Sequence, residues 1–439
     1  MPKSSNMKYA DSTSFTLQCP KFRITPEGAY SLLEAPVPSP RLLIAGDWAS
    51  IRIHHDAAQR NPADLYGGLV GRIAAAHLAI VNLECVLGGE SPVPKDGPNL
   101  KGDPDSARAL KTAGFDLATL ANNHMMDYGS EGLQATLNAC HAAGLATVGA
   151  GRNENEALEP AYCEVQGLRV GVLNLSDRED GEAGNNTPGV ADGFSYAVDQ
   201  AVQTMRDHSD FCVVIAHGGK EYVPVPSRYW YEQLLRYGLS GADMVVAHHP
   251  HVPQGMTWLN APGRNPVPII FSTGNFVFRP AASDGTNIPP HTADGYLVEA
   301  AIEPHRVTGL KLWPYEIQQE AGPRPLETPQ ALEAFRHCLE AQSAPLTDPA
   351  KVAAWFDATC KWLWDHGYRE RLEGLTAKCC AGDLAAARHA RNHHHGNAHL
   401  TLIDHSLQRM MYASPPPDPV LTAALKQWFT KGWRPDTSS

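Results

Sequence analysis

The 439-residue chain has no run of about 18 apolar residues, so no membrane-spanning helix is expected. Met1 to Pro20 carries scattered polar residues and no apolar segment of the secretory type, so no signal peptide is expected either. Positive charge is not in excess. Lys+Arg number 36 against 47 Asp+Glu, a formal net charge of −11, which disfavours partners such as nucleic acid or an anionic membrane surface. The nine cysteines are odd in number and follow no regular short spacing, against both a disulfide framework and a Cys-rich zinc site. Cys85, Cys140, Cys212, Cys338 and Cys360 sit in apolar stretches, where a thiol behaves as a small hydrophobe. A cytoplasmic location is the expectation. Charged residues are scarce at 19% while hydrophobic ones reach 43%, enough to bury a sizeable core. The count that stands out is twenty histidines, so a metal here would be held by imidazole and carboxylate.

The length corresponds to about three domains at ~150 residues each. Residues 1–40 read as irregular and end in the run Ala35-Pro36-Val37-Pro38-Ser39-Pro40. Residues 41–320 alternate apolar runs with helical patterns. Strands are expected at Arg41–Ala45, Leu78–Leu83, Leu117–Ala121, Leu168–Leu175, Phe211–Ala216, Met244–Ala247, Val267–Ser272 and Gly295–Ile302. Helices are expected at Asp105–Ala113, Glu131–Ala143 and Arg228–Tyr237. Continuous Val/Ile/Leu runs point to sheets covered on both faces, hence an α/β layered domain. Residues 321–439 read as a helical extension, with helices at Pro329–Ala341, Lys351–His366, Arg369–Asn392 and Leu421–Lys431.

Polar residues gather just after the expected strands, where α/β sheets collect their ligands. They are Gly46-Asp47-Trp48, then Glu84, then Asn122-Asn123-His124 with Asp127, then His217-Gly218-Gly219-Lys220-Glu221-Tyr222, then His248-His249-Pro250-His251, and Thr273-Gly274-Asn275. Each has a bland explanation alone: Asp47 as a helix cap, Gly274-Asn275 as a turn, the histidines as a loop. Six in succession, on strands with little else that is polar, point to a metal site. Carboxylate, amide and imidazole donors suit Zn, Mn, Fe or Ni, and a harder ion such as Ca if carboxylates dominate.

The same ordered motifs resemble the CapA family of poly-γ-glutamate-capsule-type proteins, within the calcineurin-like metallophosphoesterase superfamily. The resemblance spans roughly 41–302. It implies a four-layer α/β/β/α metallophosphoesterase-like sandwich with the metal centre on loops at one end, and it leaves the C-terminal helical extension unassigned. It makes Asp47 a ligand of a first metal position and Glu84 the bridging carboxylate. Asn123, His217 and His249 become ligands of a second position, and His251 returns to the first. His124 becomes the general acid or substrate-orienting imidazole with Asp127 as its orienter, so that His124, Asp127, Asp47 and His251 form the catalytic set. His248 stands behind the ligands. The sequence departs from the pattern in two places: Ala49 stands where the superfamily has a histidine, and Glu84 where it has an aspartate. One tightly bound divalent ion is therefore expected, with a second weak or absent.

Three functions follow. The first is metal-dependent hydrolysis of a γ-glutamyl/peptidyl or phosphoester bond in a cytoplasmic biosynthetic step. The second is metal-dependent epimerisation at a peptide Cα. The third is a non-catalytic accessory role in polymer synthesis. A peptide or small anionic substrate would need cations or donors near the rim, and Lys220, Arg279, His291 and Asn275 are the candidates. The Asn392–His399 tract and the adjacent Cys379 and Cys380 are read as having no part in the site.

Overall fold

A computed structural model describes residues 15–35, 39–51, 54, 56, 59–95, 97–179, 181–278, 290–318, 321–383, 386, 405–406 and 416–431. The first of two large sheets opens with four parallel strands: β1 (Arg41–Trp48), β2 (Leu78–Leu83), β3 (Leu117–Thr119) and β4 (Ala146–Val148). The chain then crosses to the second sheet. That sheet holds β5 (Ala161–Val165), β6 (Leu168–Ser176), β7 (Phe211–His217), β8 (Met244–His248), β9 (Met256–Asn260) and β10 (Val267–Ile270). Its order is β9-β10-β8-β7-β6-β5, with the four central strands parallel. The chain returns to the first sheet through β11 (Asn275–Val277), parallel to β1, and the hairpin of β12 (Asp294–Glu303) and β13 (Arg306–Gln318).

Parallel neighbours need crossovers, and the helices lie there. These are α1 (Asp105–Ala113) and α2 (Gly129–Ala143) for the first sheet, and α3 (Val198–Asp207) and α4 (Arg228–Ser240) for the second. Helix α1 stops at Gly114, whose φ of 107° places it in the left-handed region that a residue without Cβ enters freely. Alternation along each strand separates two cores. Leu42, Ile44, Leu78 and Ile80 meet Val172, Val213, Ile215 and Val246 between the sheets. Their neighbours Leu43, Ala45, Ala79 and Val81 pack in the core that also contains Leu110 and Leu133 of the first helix pair. Both strand faces are therefore apolar, and the fold is an α/β/β/α sandwich.

Three expectations change. Residues 1–40 are not wholly irregular: Arg23–Ile24 and Tyr30–Leu33 extend the first sheet beyond β13, and Thr16–Gln18 pairs with β9. The 13-residue strand β13 has no counterpart among the expected strands, because Gly309 and Pro314 punctuate its apolar pattern. Finally, the C-terminal part does not begin as a separate unit. Gly322–Pro325 pairs with β13, and α5 (Pro329–Ser343) buries Leu332, Phe335 and Leu339 in the inter-sheet core. Further on, α6 (Pro349–Leu363) packs Phe356 and Cys360 on Val223 and Val225 of the loop after β7. The helix expected to run to Asn392 is described as α7 (Arg369–Cys380), and its remainder, like the His393–His395 tract, lies outside the described residues. The chain's last described helix is α8 (Pro419–Lys431).

Candidate metal centre

The parallel strands of both sheets end on one edge, and their exit residues converge. Strand β1 delivers Asp47, β2 is followed by Glu84, β3 by Asn122 to Asp127, β7 ends in His217 and β8 in His248. Gly46 makes the first of these possible: a Cβ there would lie 2.1 Å from the Gly274 carbonyl oxygen, so only glycine lets the 273–275 segment cross beside Asp47.

Three donor atoms lie close to His217 Nε2. His217 Nε2 lies 3.1 Å from Asn123 Oδ1, 3.2 Å from His249 Nδ1 and 3.5 Å from Glu84 Oε1. Donors at ~2.1 Å around a tetrahedral ion are ~3.4 Å apart, so these spacings fit a bound cation. Glu84 supplies the second sign of fit. It is wholly buried, and neither of its carboxylate oxygens has a hydrogen-bond partner. Burial, reinforced by the charge of Asp47, pushes its carboxyl well above the usual range. His217 and His249 are shifted the other way, His249 to about 4, mainly because burial disfavours the imidazolium. Neutral imidazole is the form that binds metal.

Asp47 is engaged differently. Its Oδ1 accepts from Asn82 Nδ2 at 2.8 Å, and its Oδ2 lies 3.4 Å both from the His249 amide and from His251 Nδ1. Burial opposes its ionisation, yet the hydrogen bond from His251 and the nearby His217 and His248 hold it well below the usual carboxylate range. His251 answers with a pKa raised to about 10: burial lowers it, but the Glu84 charge and the Asp47 bond prevail. Asp47, Glu84 and His251 still form a donor triad, sharing Glu84 with the triad Glu84, His217 and His249. The second triad is the better prepared for an ion, since the oxygens of Asp47 already serve other donors.

His124 stands beside Asn123 with Nδ1 2.8 Å from Asp127 Oδ2, the arrangement that fixes the tautomer and leaves Nε2 for chemistry. Burial and the adjacent Lys95 ammonium lower its pKa to about 4. Lys95 also pairs with Asp127 and donates to the Asn123 carbonyl at 3.1 Å. His248 donates to or accepts from Thr273 Oγ1 at 3.0 Å and stands behind Asp47. The backbone carrying the imidazoles is strained: His249 and His251 have φ of 96° and 55°, each costing about 1–3 kcal/mol that the surroundings must offset.

The proposed substrate contacts fall elsewhere than expected. Asn275 is buried and serves His251: Oδ1 lies 2.9 Å from its Nδ1, and Nδ2 donates to its carbonyl at 3.2 Å. Lys220 is not at a rim but fully buried, its ammonium 5.3 Å from the Tyr229 ring centre. His291 is not in an exposed loop. It lies in the short turn Pro290–Ala293, 3.1 Å from Asp294 Oδ2, with its ring stacked on Trp428 of α8. Arg279 lies outside the described residues. Other groups near the centre carry no assignment in the sequence reading. Asp177 follows β6 as Asp47 terminates β1, and the same strand-end rule finds it; Tyr229 donates its hydroxyl proton to it. Glu179 Oε1 sits 3.6 Å from His249 Nε2, where a carboxylate steadies a ligating imidazole. Burial and Asp177 raise its pKa to about 8. Lys95 had no such signal, because it reaches the site from an irregular loop.

The chain is a two-sheet α/β/β/α sandwich of metallophosphoesterase-like fold, with histidine and carboxylate donors on the loops at one sheet edge. The chain belongs to the family described as "Bacterial capsule synthesis protein PGA_cap", whose model matches residues 41–280. It is 32% identical over 236 residues to the capsule biosynthesis protein CapA of Bacillus anthracis, covering 52% of this chain and 54% of that one. To the PGA biosynthesis protein CapA of Bacillus subtilis (strain 168) it is 30% identical over 232 residues, covering 52% and 58%. The chain thus spans about half the length of the curated relatives it matches. Among solved structures, a novel phosphatase from Mycoplasma pneumoniae is similar at 12% identity and a TM-score of 0.40, covering 68% of this chain and 98% of that one. Among the described residues no helix is long and apolar enough to cross a membrane.

The unpartnered Glu84 carboxylate predicts opposite effects of one substitution. In excess chelator, Glu84→Gln should melt at a higher temperature than the natural protein, because it replaces a buried carboxyl, whose ionised form burial and Asp47 disfavour, by a neutral amide. With a divalent metal present the order should reverse, since an ion bound at 100-fold over its Kd adds about 2.7 kcal/mol to the natural protein. Thermal unfolding of both proteins in the two buffers checks this.

Proposed function

We propose that the chain is a metal-dependent hydrolase that cleaves an amide-type bond in an anionic γ-glutamyl or peptidyl substrate. The observation that carries the reading is the convergence of Glu84, Asn123, His217 and His249 next to the His124–Asp127 pair. Those four residues would hold the ion, which when bound polarises a carbonyl oxygen and makes water more acidic. Asp127 keeps the Nδ1 proton of His124 in place. Neutral His124 then takes a proton from the attacking water at Nε2 and delivers it to the leaving nitrogen as the bond breaks. Asn275 and Asp47 hold His251, and Glu179 steadies His249, so the donors need little rearrangement on binding. An amide-type substrate is favoured over a phosphoester because Ala49 offers no donor to the Asp47 side, and two-metal phosphoester cleavage clamps both the attacking and leaving oxygens. The names of the relatives, in capsule and PGA biosynthesis, support a glutamyl polymer or its precursor as the substrate class.

The test is incubation of γ-glutamyl peptides with the metal-loaded protein in D₂O, read by mass spectrometry. New termini that disappear on chelation and return with metal are expected. Deuterium at Cα without cleavage overturns hydrolysis in favour of epimerisation.

A further inference from the structure

The turn Pro290–Ala293, which leads into β12, is tied to the metal centre through one side chain. Asn275 Oδ1 lies 2.9 Å from His251 Nδ1, and its Nδ2 donates to the Thr292 carbonyl at 3.0 Å. His291 is buried in this turn with Nδ1 3.1 Å from Asp294 Oδ2. Its other nitrogen, Nε2, is buried and has no hydrogen-bond partner. Trp428 of α8 covers the ring: the two are stacked with centres 4.5 Å apart and planes 20° from parallel. The indole nitrogen of Trp428 is likewise buried and without a partner. Phe429 meets the same indole edge-on at 4.8 Å and stacks in turn on Trp362 of α6 at 6.0 Å. Both His291 and Trp428 lie beyond residues 41–280, outside the part of the chain that the family model matches.

Buried polar groups in folded proteins are almost always paired, so two orphan nitrogens in stacked rings mark a place that receives a polar group. An indole N–H only donates and calls for an acceptor. With Asp294 against Nδ1, the His291 ring can carry a second proton at Nε2, where it also donates and adds positive charge. Two donors, one of them charged, match a carboxylate better than an amide, which brings an N–H of its own. We propose that His291 and Trp428 form a subsite for a free carboxylate of the substrate, beside the metal centre. Each unit of a γ-linked glutamyl chain keeps an α-carboxylate a few bonds from its γ-carbonyl, so this pair selects γ-glutamyl substrates over neutral ones. The choice of substrate rests on the hydrolase reading above, whereas the subsite rests on the two nitrogens and their neighbours. Asp294 is a positioning residue that acts through the His291 ring. Entry costs little packing: among the described residues of α8 only Leu425 and Trp428 are buried, so the helix can lift to admit the group.

The test is calorimetric binding of γ-linked triglutamate, and of the same peptide with its α-carboxylates converted to primary amides, to metal-loaded full-length protein. The natural protein should prefer the carboxylate form by ~10–100-fold, the usual worth of hydrogen bonds to a charged group. Trp428→Phe keeps a stacked ring and drops the N–H, and it should lose most of that preference with affinity for the amide peptide unchanged. His291→Phe, which removes both ring nitrogens, should abolish the preference. Elemental analysis should find the metal content of both variants unchanged. Equal binding of the two peptides by the natural protein, binding of neither, or a full preference in Trp428→Phe overturns the subsite. A preference in the natural protein without cleavage of either peptide supports the subsite and overturns the hydrolase reading instead.

Discussion

His217→Ala should purify without its tightly bound metal. Outer partners of metal ligands are worth ~10–100-fold in affinity, and a direct ligand is worth more. His217 is the donor nearest the middle of the set, within 3.5 Å of the Asn123, His249 and Glu84 donor atoms. Its removal leaves Glu84 and the His249 imidazole facing a gap that no neighbouring side chain fills. Binding should weaken by more than ~100-fold, and hydrolysis should fall with it. Elemental analysis after dialysis reads the metal, and circular dichroism shows whether the sandwich persists. The fold should persist, because His217 belongs to neither hydrophobic core. A full equivalent of metal retained by a folded His217→Ala protein would contradict the assignment.

His124→Ala should behave in the opposite way: metal content unchanged, kcat lower by about 10²–10⁴-fold, the usual contribution of a positioned acid or base. The imidazole of His124 is hydrogen-bonded to Asp127 and stands next to Lys95, so its loss leaves the donors around His217 in place. Asp127→Asn tests the same unit from behind. It removes the carboxylate that orients the ring and the charge paired with the Lys95 ammonium. It should lower kcat less than His124→Ala. The double substitution should cost no more than His124→Ala alone, since residues that act as a unit are not additive. Loss of metal from His124→Ala would instead make His124 part of the ion-binding set.

The central layers were legible because burial on both faces leaves a mark that needs no partner to interpret. Leu78–Leu83 is apolar except for Asn82, and its exit residue Glu84 is where a strand-end search looks first. The same rule reaches Asp47, Asn123, His217 and His249. It misleads at Asn275 and Lys220, because residue type and strand-end position say nothing of what lies opposite. Asn275 meets the imidazole of His251, and Lys220 is enclosed near Tyr229. The edges of the fold were less legible. Tyr30–Leu33 and β13 depend on pairing with each other across nearly three hundred residues, and no local pattern carries that information. His291 and Trp428 meet for the same reason, from turns and helices far apart in the chain.

Metal-soaked crystals with anomalous diffraction recorded across the Mn, Fe and Zn edges test the centre most directly. The strongest anomalous peak should lie within bonding distance of Glu84, Asn123, His217 and His249. A metal-replete crystal with no peak among those four residues, or with its strongest peak at another cluster such as Cys212, Asp243 and His305, would contradict it.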